Sequence, residues 1–471
     1  MASGTAEQDS VSEFIHDTII DLTKKLDGNK FANDIIYLLQ NIKKTTDVIE
    51  TSNRWLKWAR QQKYLKVINA DIPIGVLPNG KEGEIIDIKV FAGRKPDDEL
   101  YDNNEELRKK VARGNCFISI KEGNDVRCVL QAMKKFTGGL GDDDDREQGD
   151  NSTWKKYFIK PLEETESVIA TRKANGEAAH LSCFMVDGEY VLCGGSKNVH
   201  MVFRKKEDIL RYTEPRFRIA SEVCLSVWNS LDKMSPDDRN SLLQFLVATG
   251  YTGVFEILSP DHQHVEDLSY LSESEMRFIT WTQIDLEPSP DNSSLATVPP
   301  HLGIEIAKAL GLLTIKYDVL SMSELDTRMK QIRQGYQYEG EVLYFMDKTG
   351  IVTGLLKKKT VWYIMCRAIR EKLRAACAYN LKTPEKFSIS KYLRKTDKRL
   401  DEIQIWLGLD MSTINEWKTF ANKFIRHVIQ KVDLGEVTSD DIANIYPVIW
   451  KRYVAASGES DDIKVVVTSG S

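Results

Sequence analysis

Lys173 closes a run of β-forming residues, Ser167-Val-Ile-Ala-Thr171, and is followed at once by Ala174-Asn175-Gly176. Small residues at 174 and 176 let the backbone pass close to a bound nucleotide. A lysine amine becomes a nucleophile only after losing its proton, and burial or neighbouring cations lower its pKa toward that point. Lys357 and Lys359, in Leu355-Leu-Lys-Lys-Lys-Thr360, are two such cations; two apart on a strand, they project to one side. Glu256 within the apolar run Tyr251–Leu258 and Glu339 at the head of Glu339-Gly-Glu-Val342 add carboxylates to the set. Lysines with acids suit phosphoryl transfer, which needs charge neutralised and reactants aligned. Singly, each of these is an ordinary surface residue; the signal is the set, in this order.

Further stretches complete the pattern. Cys193-Gly-Gly-Ser196-Lys197-Asn198 follows Lys173 by about one hairpin, Phe255-Glu256-Ile-Leu-Ser-Pro260 leads to His264-Val265, and Lys357-Lys358-Lys359-Thr360 is followed by Tyr363. Together they resemble the motifs of the covalent nucleotidyltransferase superfamily of polynucleotide ligases and capping enzymes, whose nucleophile motif reads KxDG. The likeness is closer to ATP-dependent RNA ligases of the phage type and their eukaryotic relatives. It covers roughly residues 130 to 365, and it departs at Asn175, where the family has an aspartate: hydrogen bonding is kept and a charge is removed.

The resemblance implies an ATP-dependent RNA ligase. Lys173 would attack the α-phosphate of ATP to give lysyl-AMP, the adenylyl group would pass to an RNA 5′-phosphate, and a 3′-hydroxyl would displace AMP. Gly176, Glu256, Glu339, Lys357 and Lys359 would hold the nucleotide, Glu339 and Glu256 also Mg²⁺ or Mn²⁺ or its water, and Ser196 and Lys197 the sugar or the incoming RNA end. The expected partner is RNA with 5′-phosphate and 3′-hydroxyl ends, tRNA-like by analogy, in repair or tRNA-type splicing, and the expected state is a monomer. The alternatives are another polynucleotide nucleotidyltransferase of DNA-ligase or capping type, and a non-catalytic RNA-binding protein on a ligase fold. No GxxxxGK[ST] loop occurs, so preparation of the RNA ends falls to other enzymes.

The elements that position these residues read as α+β. Residues 1–70 carry helical periodicity (Val11, Phe14, Ile15, Ile19, Leu22, Leu26), and Trp55 and Trp58, three apart on one helix face, read as core in preference to a base-stacking platform. Residues 71–150 are short strands leading into the ligase domain, with the basic-aromatic strip Lys134-Lys135-Phe136-Thr137 and a glycine-rich acidic loop over 138–150 expected to be mobile. Residues 151–365 form the adenylyltransferase domain, antiparallel sheets with flanking helices. Residues 366–455 read as an all-helical RNA-specificity domain, with Thr360 and Thr383-Pro384 as helix starts, and 456–471 as a disordered tail.

Composition narrows the classes. Among 471 residues, 42% hydrophobic, no run of eighteen apolar residues appears, and the polar N-terminus lacks the basic and apolar parts of a signal peptide, so no membrane association is expected. Seven scattered cysteines without a C-x-x-C pair suggest neither a zinc site nor a disulfide framework and fit a reducing compartment, cytoplasmic or nuclear. The net charge is −5, yet residues 357–431 hold 18 Lys or Arg against 7 Asp or Glu, the asymmetry of a phosphate-binding face. His262 and His264 alternate like a ligand pair, but no third His or Cys stands at metal-site spacing, so they read as a surface pair.

Overall fold

Alternating apolar residues through the middle of the chain build three sheets in a computed structural model that describes residues 16–42, 48–91, 93, 97–121, 125–142, 152–288 and 293–467. The first is an antiparallel meander of β1 (Leu65–Asp71), β2 (Gly83–Val90), β3 (Asn115–Ile120) and β4 (Asp125–Gln131). The other two interleave β5 (Thr137–Gly138), β6 (Thr165–Lys173), β7 (Glu177–Val186), β8 (Glu189–Gly195), β9 (His200–Phe203), β10 (Thr252–Leu258), β11 (Glu275–Thr282), β12 (Tyr317–Ser321), β13 (Gly340–Asp347) and β14 (Val352–Lys359). Their orders are β11-β10-β7-β8-β9 and β12-β6-β13-β14-β5; every pairing is antiparallel except β14 with β5. The basic-aromatic strip that ends at Thr137 therefore leads into the edge of the same sheet as Lys173.

Strand alternation divides the second of these sheets into two faces. Ile169, Val342, Tyr344 and Leu355 form one apolar cluster, while Val168, Ala170, Leu343, Phe345 and Leu356 form another beneath the helix Leu325–Arg333. The helices Arg218–Asp232, Pro236–Thr249 and Pro300–Ala309 pack on the β7–β11 sheet. Leu22, Leu26, Ile35 and Leu39 from the N-terminal helices join that same core. Trp55 is buried and stacks on Phe117 with centroids 5.3 Å apart, so the tryptophan stripe serves packing.

After β14 the chain is helical: Val361–Lys382, Ile389–Leu407, Met411–Asp433, Ser439–Asn444 and Tyr446–Ser457 enclose one core rich in aromatic residues. Thr360 caps the first of these helices through Tyr363 N–H at 2.9 Å. Thr383-Pro384 starts only the single turn Pro384–Lys386; Phe387 is extended and stacks on Tyr392, and the long helix begins after it. The tail expected to be disordered from 456 is instead held through residue 467. Asp461 is buried and accepts from Tyr336 Oη at 2.6 Å, Trp362 Nε1 at 3.0 Å and Trp450 Nε1 at 2.7 Å, tying the tail to the helices and to the segment that leads into β13. Residues 468–471 lie outside the described residues, as do Val11, Phe14 and Ile15 and most of the acidic loop. Among the described residues no helix is long and apolar enough to cross a membrane.

Candidate functional site

Register brings the chemistry-bearing residues to one end of two sheets. Gly340 pairs with Lys173 on one side and with Lys359 on the other, so Glu339, one residue earlier, falls between the two amines. A Cβ at Gly340 (φ 148°) would stand 2.1 Å from the Lys358 carbonyl oxygen, which is why the strand can begin so tightly. On the facing sheet, β7 starts at Glu177 beside Ile257, and a Cβ at Gly176 would lie 2.0 Å from the Ile257 carbonyl oxygen. Only glycine lets the connection from β6 to β7 pass this close to β10. That approach also lets Gly176 N–H donate to Glu256 Oε1 at 2.9 Å.

Glu339 is the hub. Its Oε1 lies 3.1 Å from Lys173 Nζ and 3.7 Å from Lys359 Nζ, and its Oε2 accepts from Asn175 Nδ2 at 2.9 Å. Burial pushes the Glu339 carboxyl up, but the Lys173 and Lys359 ammoniums outweigh it and hold the group below its ordinary value. Burial pulls Lys173 down, yet Glu339 and Glu256 prevail and its pKa stands above that of a free lysine. This reverses the lowered value expected from the sequence: the acids Glu339 and Glu256, not the cations Lys357 and Lys359, dominate the field at the amine. Burial raises Glu256 despite Lys173.

Asn175 is buried with all its bonding accounted for. Its Oδ1 accepts from the backbone N–H groups of Val265 and Glu266 at 3.0 and 3.2 Å, which fixes the amide so that Nδ2 faces Glu339 and, at 3.1 Å, Tyr363 Oη. An aspartate here could not donate to Glu339 and would set two carboxylates in contact.

Lys173, Gly176, Glu256 and Lys357 line two adjoining cavities. One, of about 360 Å³, is walled by Met133, Phe136, Val254, Phe255, Ile279 and Tyr344 from both sheets, with Lys134, Lys135 and Lys197 also lining it. The other, of about 450 Å³, is polar and takes in Asn175, His264, Glu339, Lys359 and Tyr363, together with Arg367, Arg370 and Glu371 from the helix after β14. Arg370 is buried, and its Nε has no hydrogen-bond partner among the described residues.

The structure thus unites Lys173, Gly176, Glu256, Glu339, Lys357 and Lys359. Lys197 reaches the apolar cavity while paired with Asp97 at 3.0 Å, whereas Ser196 is a turn residue bonded through its N–H to Val199 and lines neither cavity. Two acids escaped the sequence reading. Glu266 accepts from Glu339 N–H at 2.5 Å, and burial pushes its carboxyl up to about 7; its proximity to His264-Val265 was the available signal. Asp142, the first acid of the run taken as a mobile loop, is fully buried, binds Arg333 at 2.6 and 2.9 Å and accepts from Lys359 N–H at 2.7 Å. It fixes the backbone from which Lys359 projects.

Glu339 and Glu256 are hard oxygen donors facing one cavity, the one-or-two-carboxylate arrangement with which Mg²⁺ binds beside phosphates. Neither belongs to a group of three ligand atoms close enough to cage an ion unaided among the described residues.

Fold and site together define a mixed α+β protein with a lysine held between two facing sheets and a helical region closing one side. The chain belongs to the family described as Domain of unknown function (DUF7920), whose model matches residues 90–370 and so spans every residue of the lysine cluster. No curated protein matches the sequence.

Proposed function

We propose that this protein is an ATP-dependent RNA ligase joining 5′-phosphate and 3′-hydroxyl ends, with the two facing sheets acting as an adenylation domain and the helical region selecting RNA. The observation that carries the reading is the place of Lys173 on the wall shared by an apolar cavity of base size and a polar cavity lined by cations. An α-phosphate lies at that junction when a nucleotide spans both. The amine forms a P–N bond to phosphorus as the bond to pyrophosphate breaks; pyrophosphate takes the electron pair, and the amine's proton goes to solvent through the quarter of the Lys173 side chain that is open. The adenylyl group then moves to the RNA 5′-phosphate, and the 3′-hydroxyl displaces AMP.

Lys357 and Lys359 grip phosphate oxygens, and Arg367 and Arg370 bring the helical region onto the same charges. When bound, Mg²⁺ or Mn²⁺ supplies further neutralisation at the phosphates. Glu339 and Glu256 are placed to hold such an ion and also hold Lys173 charged, so the amine keeps its proton until they are otherwise engaged. The basic helices Val361–Lys382 and Ile389–Leu407 favour RNA as the acceptor.

The test is the intact mass of the purified protein after incubation with ATP and Mg²⁺, beside Lys173→Ala and a GTP control. The expected result is a gain of one adenylyl group, absent from the variant and with GTP. An adduct with GTP alone would point to capping chemistry, and no adduct from folded, unadenylated protein would leave RNA binding without catalysis.

A further inference from the structure

Three side chains beyond the lysine cluster converge at the rim of the polar cavity. Glu177 opens β7, and His262 and His264 stand on the strap that follows β10. Glu177 Oε1 lies 3.4 Å from His262 Nε2 and 3.2 Å from His264 Nε2, and the three ligand atoms all fall within 4.8 Å of one another. For metal–ligand bonds of about 2.0–2.1 Å, the edge of a coordination tetrahedron is about 3.3 Å. The two separations to Glu177 already match it.

The groups around this cluster orient it. His262 Nδ1 is 2.9 Å from Asn444 Oδ1; donation of Nδ1–H to that oxygen leaves the Nε2 lone pair directed at Glu177. Gln263 N–H donates to the Asn444 carbonyl at 2.6 Å, and Val265 and Glu266 N–H donate to Asn175, so backbone bonds on both sides hold the strap carrying the rings. Half of the His262 side chain and 44% of Glu177 are open to solvent, which gives an ion a way in. A second convergent group, Asp87 with Cys116 and His200, is fully buried, and its carboxylate is already taken by His200 and Arg216.

We propose that Glu177, His262 and His264 form a binding site for a divalent transition-metal ion, Zn²⁺ foremost, with three protein ligands and a remaining position left to water or a phosphate oxygen. Two imidazoles and one carboxylate suit Zn²⁺, Co²⁺ or Mn²⁺ and not the all-oxygen preference of Mg²⁺ or Ca²⁺. The site is separate from the ion that Glu339 and Glu256 would share with ATP, and it does not rest on Lys173 being a nucleophile. The sequence hid it because the third ligand is a glutamate distant along the chain, brought alongside only when β7 pairs with β10.

The experiment is titration of full-length, tag-free, metal-stripped protein with Co²⁺, followed by visible absorption, and with Zn²⁺, followed by calorimetry. One equivalent per chain is expected, with Glu177→Gln and His264→Ala each weakening binding by more than about 100-fold and Asn444→Ala by about 10-fold. Lys173→Ala should bind as tightly as the unaltered protein, which separates failure of this site from failure of the ligase reading. Circular dichroism checks each variant's fold, and His262→Gln, at a half-exposed ring, serves if an inner variant does not fold. Absence of stoichiometric binding, or binding that survives both Glu177→Gln and His262→Gln, would overturn the proposal.

Discussion

The sheet that holds β6 carries a charged cavity on each face, about 450 Å³ on the Lys173 side, where β14 joins β6 in the lining, and about 460 Å³ behind it, where β12 and β13 do. Behind the sheet, Arg328 binds Glu341 through two nitrogens at 2.8 and 2.7 Å and Asp318 at 2.5 Å, Lys308 binds Glu305 at 2.7 Å, and Arg172 stacks on Tyr338 at 3.9 Å. Arg328 with its two acids and Lys308 with Glu305 are thus paired within the protein. On the Lys173 side two ammoniums converge on a single oxygen of Glu339, and the buried Arg370, paired with Glu371 at 2.9 Å, has no partner for its Nε among the described residues. The contrast lies in pairing, since residue types and size are alike. Arg328 binds two acids of its own, whereas Lys173 and Lys359 share one carboxylate oxygen, and the proposed phosphate contacts would draw on that difference.

The largest effect expected is at the amine. Lys173→Arg keeps the charge and Lys173→Ala removes it, and both should abolish the adenylyl adduct in intact mass; Arg328→Ala on the back face should leave its yield unchanged. Loss of the adduct in Arg328→Ala, with the fold intact, would erase the distinction between the faces. Next comes Gly176→Ala. Its new methyl cannot stay 2.0 Å from the Ile257 carbonyl, so the connection between β6 and β7 must move off β10; a loss of about 3 kcal/mol is expected in chemical denaturation. An unchanged midpoint would mean the approach of the two sheets does not depend on this glycine.

Asn175→Asp tests the departure from the ligase motif that the stretch resembles. It replaces a donor to Glu339 and Tyr363 with a carboxylate facing a carboxylate, at a cost of about 2 to 3 kcal/mol and roughly tenfold in the rate of adduct formation. A faster adduct would show that the asparagine moderates the nucleophile.

This position also marks what could be read in the chain. Lys173, Glu256, Glu339, Lys357 and Lys359 were legible as a set through the resemblance of their motifs to those of polynucleotide ligases, while alternation and composition placed them only on or beside strands. Helix Val361–Lys382 was legible from Thr360 and its apolar stripe. The sign of the Lys173 shift was not, because it depends on which charge lies nearer, and register settles that. Asp142 was hidden for a related reason. Four aspartates beside glycines look solvated, and only Arg333, far along the chain, turns the first of them inward. The Asp461 anchor likewise needs Trp362 and Trp450 to be in place before a polar tail can be ordered.

Glu266 stands where the two faces meet, accepting from Glu339 N–H on the Lys173 side and lying 3.9 Å from Arg172 NH2 on the other. Burial raises its carboxyl from 4.5 to about 7, against the pull of Arg172. Between those values the folded protein binds a proton that the unfolded chain has lost, so unfolding free energy falls as pH rises. The contribution is whole below pH 4.5 and is lost as pH passes through about 7. Across pH 5 to 7 the decline is roughly 2 kcal/mol, to be read from denaturation midpoints of the nucleotide-free protein. Glu266→Gln, which still accepts from Glu339 N–H, should flatten that slope while matching the unaltered protein near pH 5. A slope that persists in the variant would place the titrating group elsewhere, and the seam between the paired face and the shared one would then not run through Glu266.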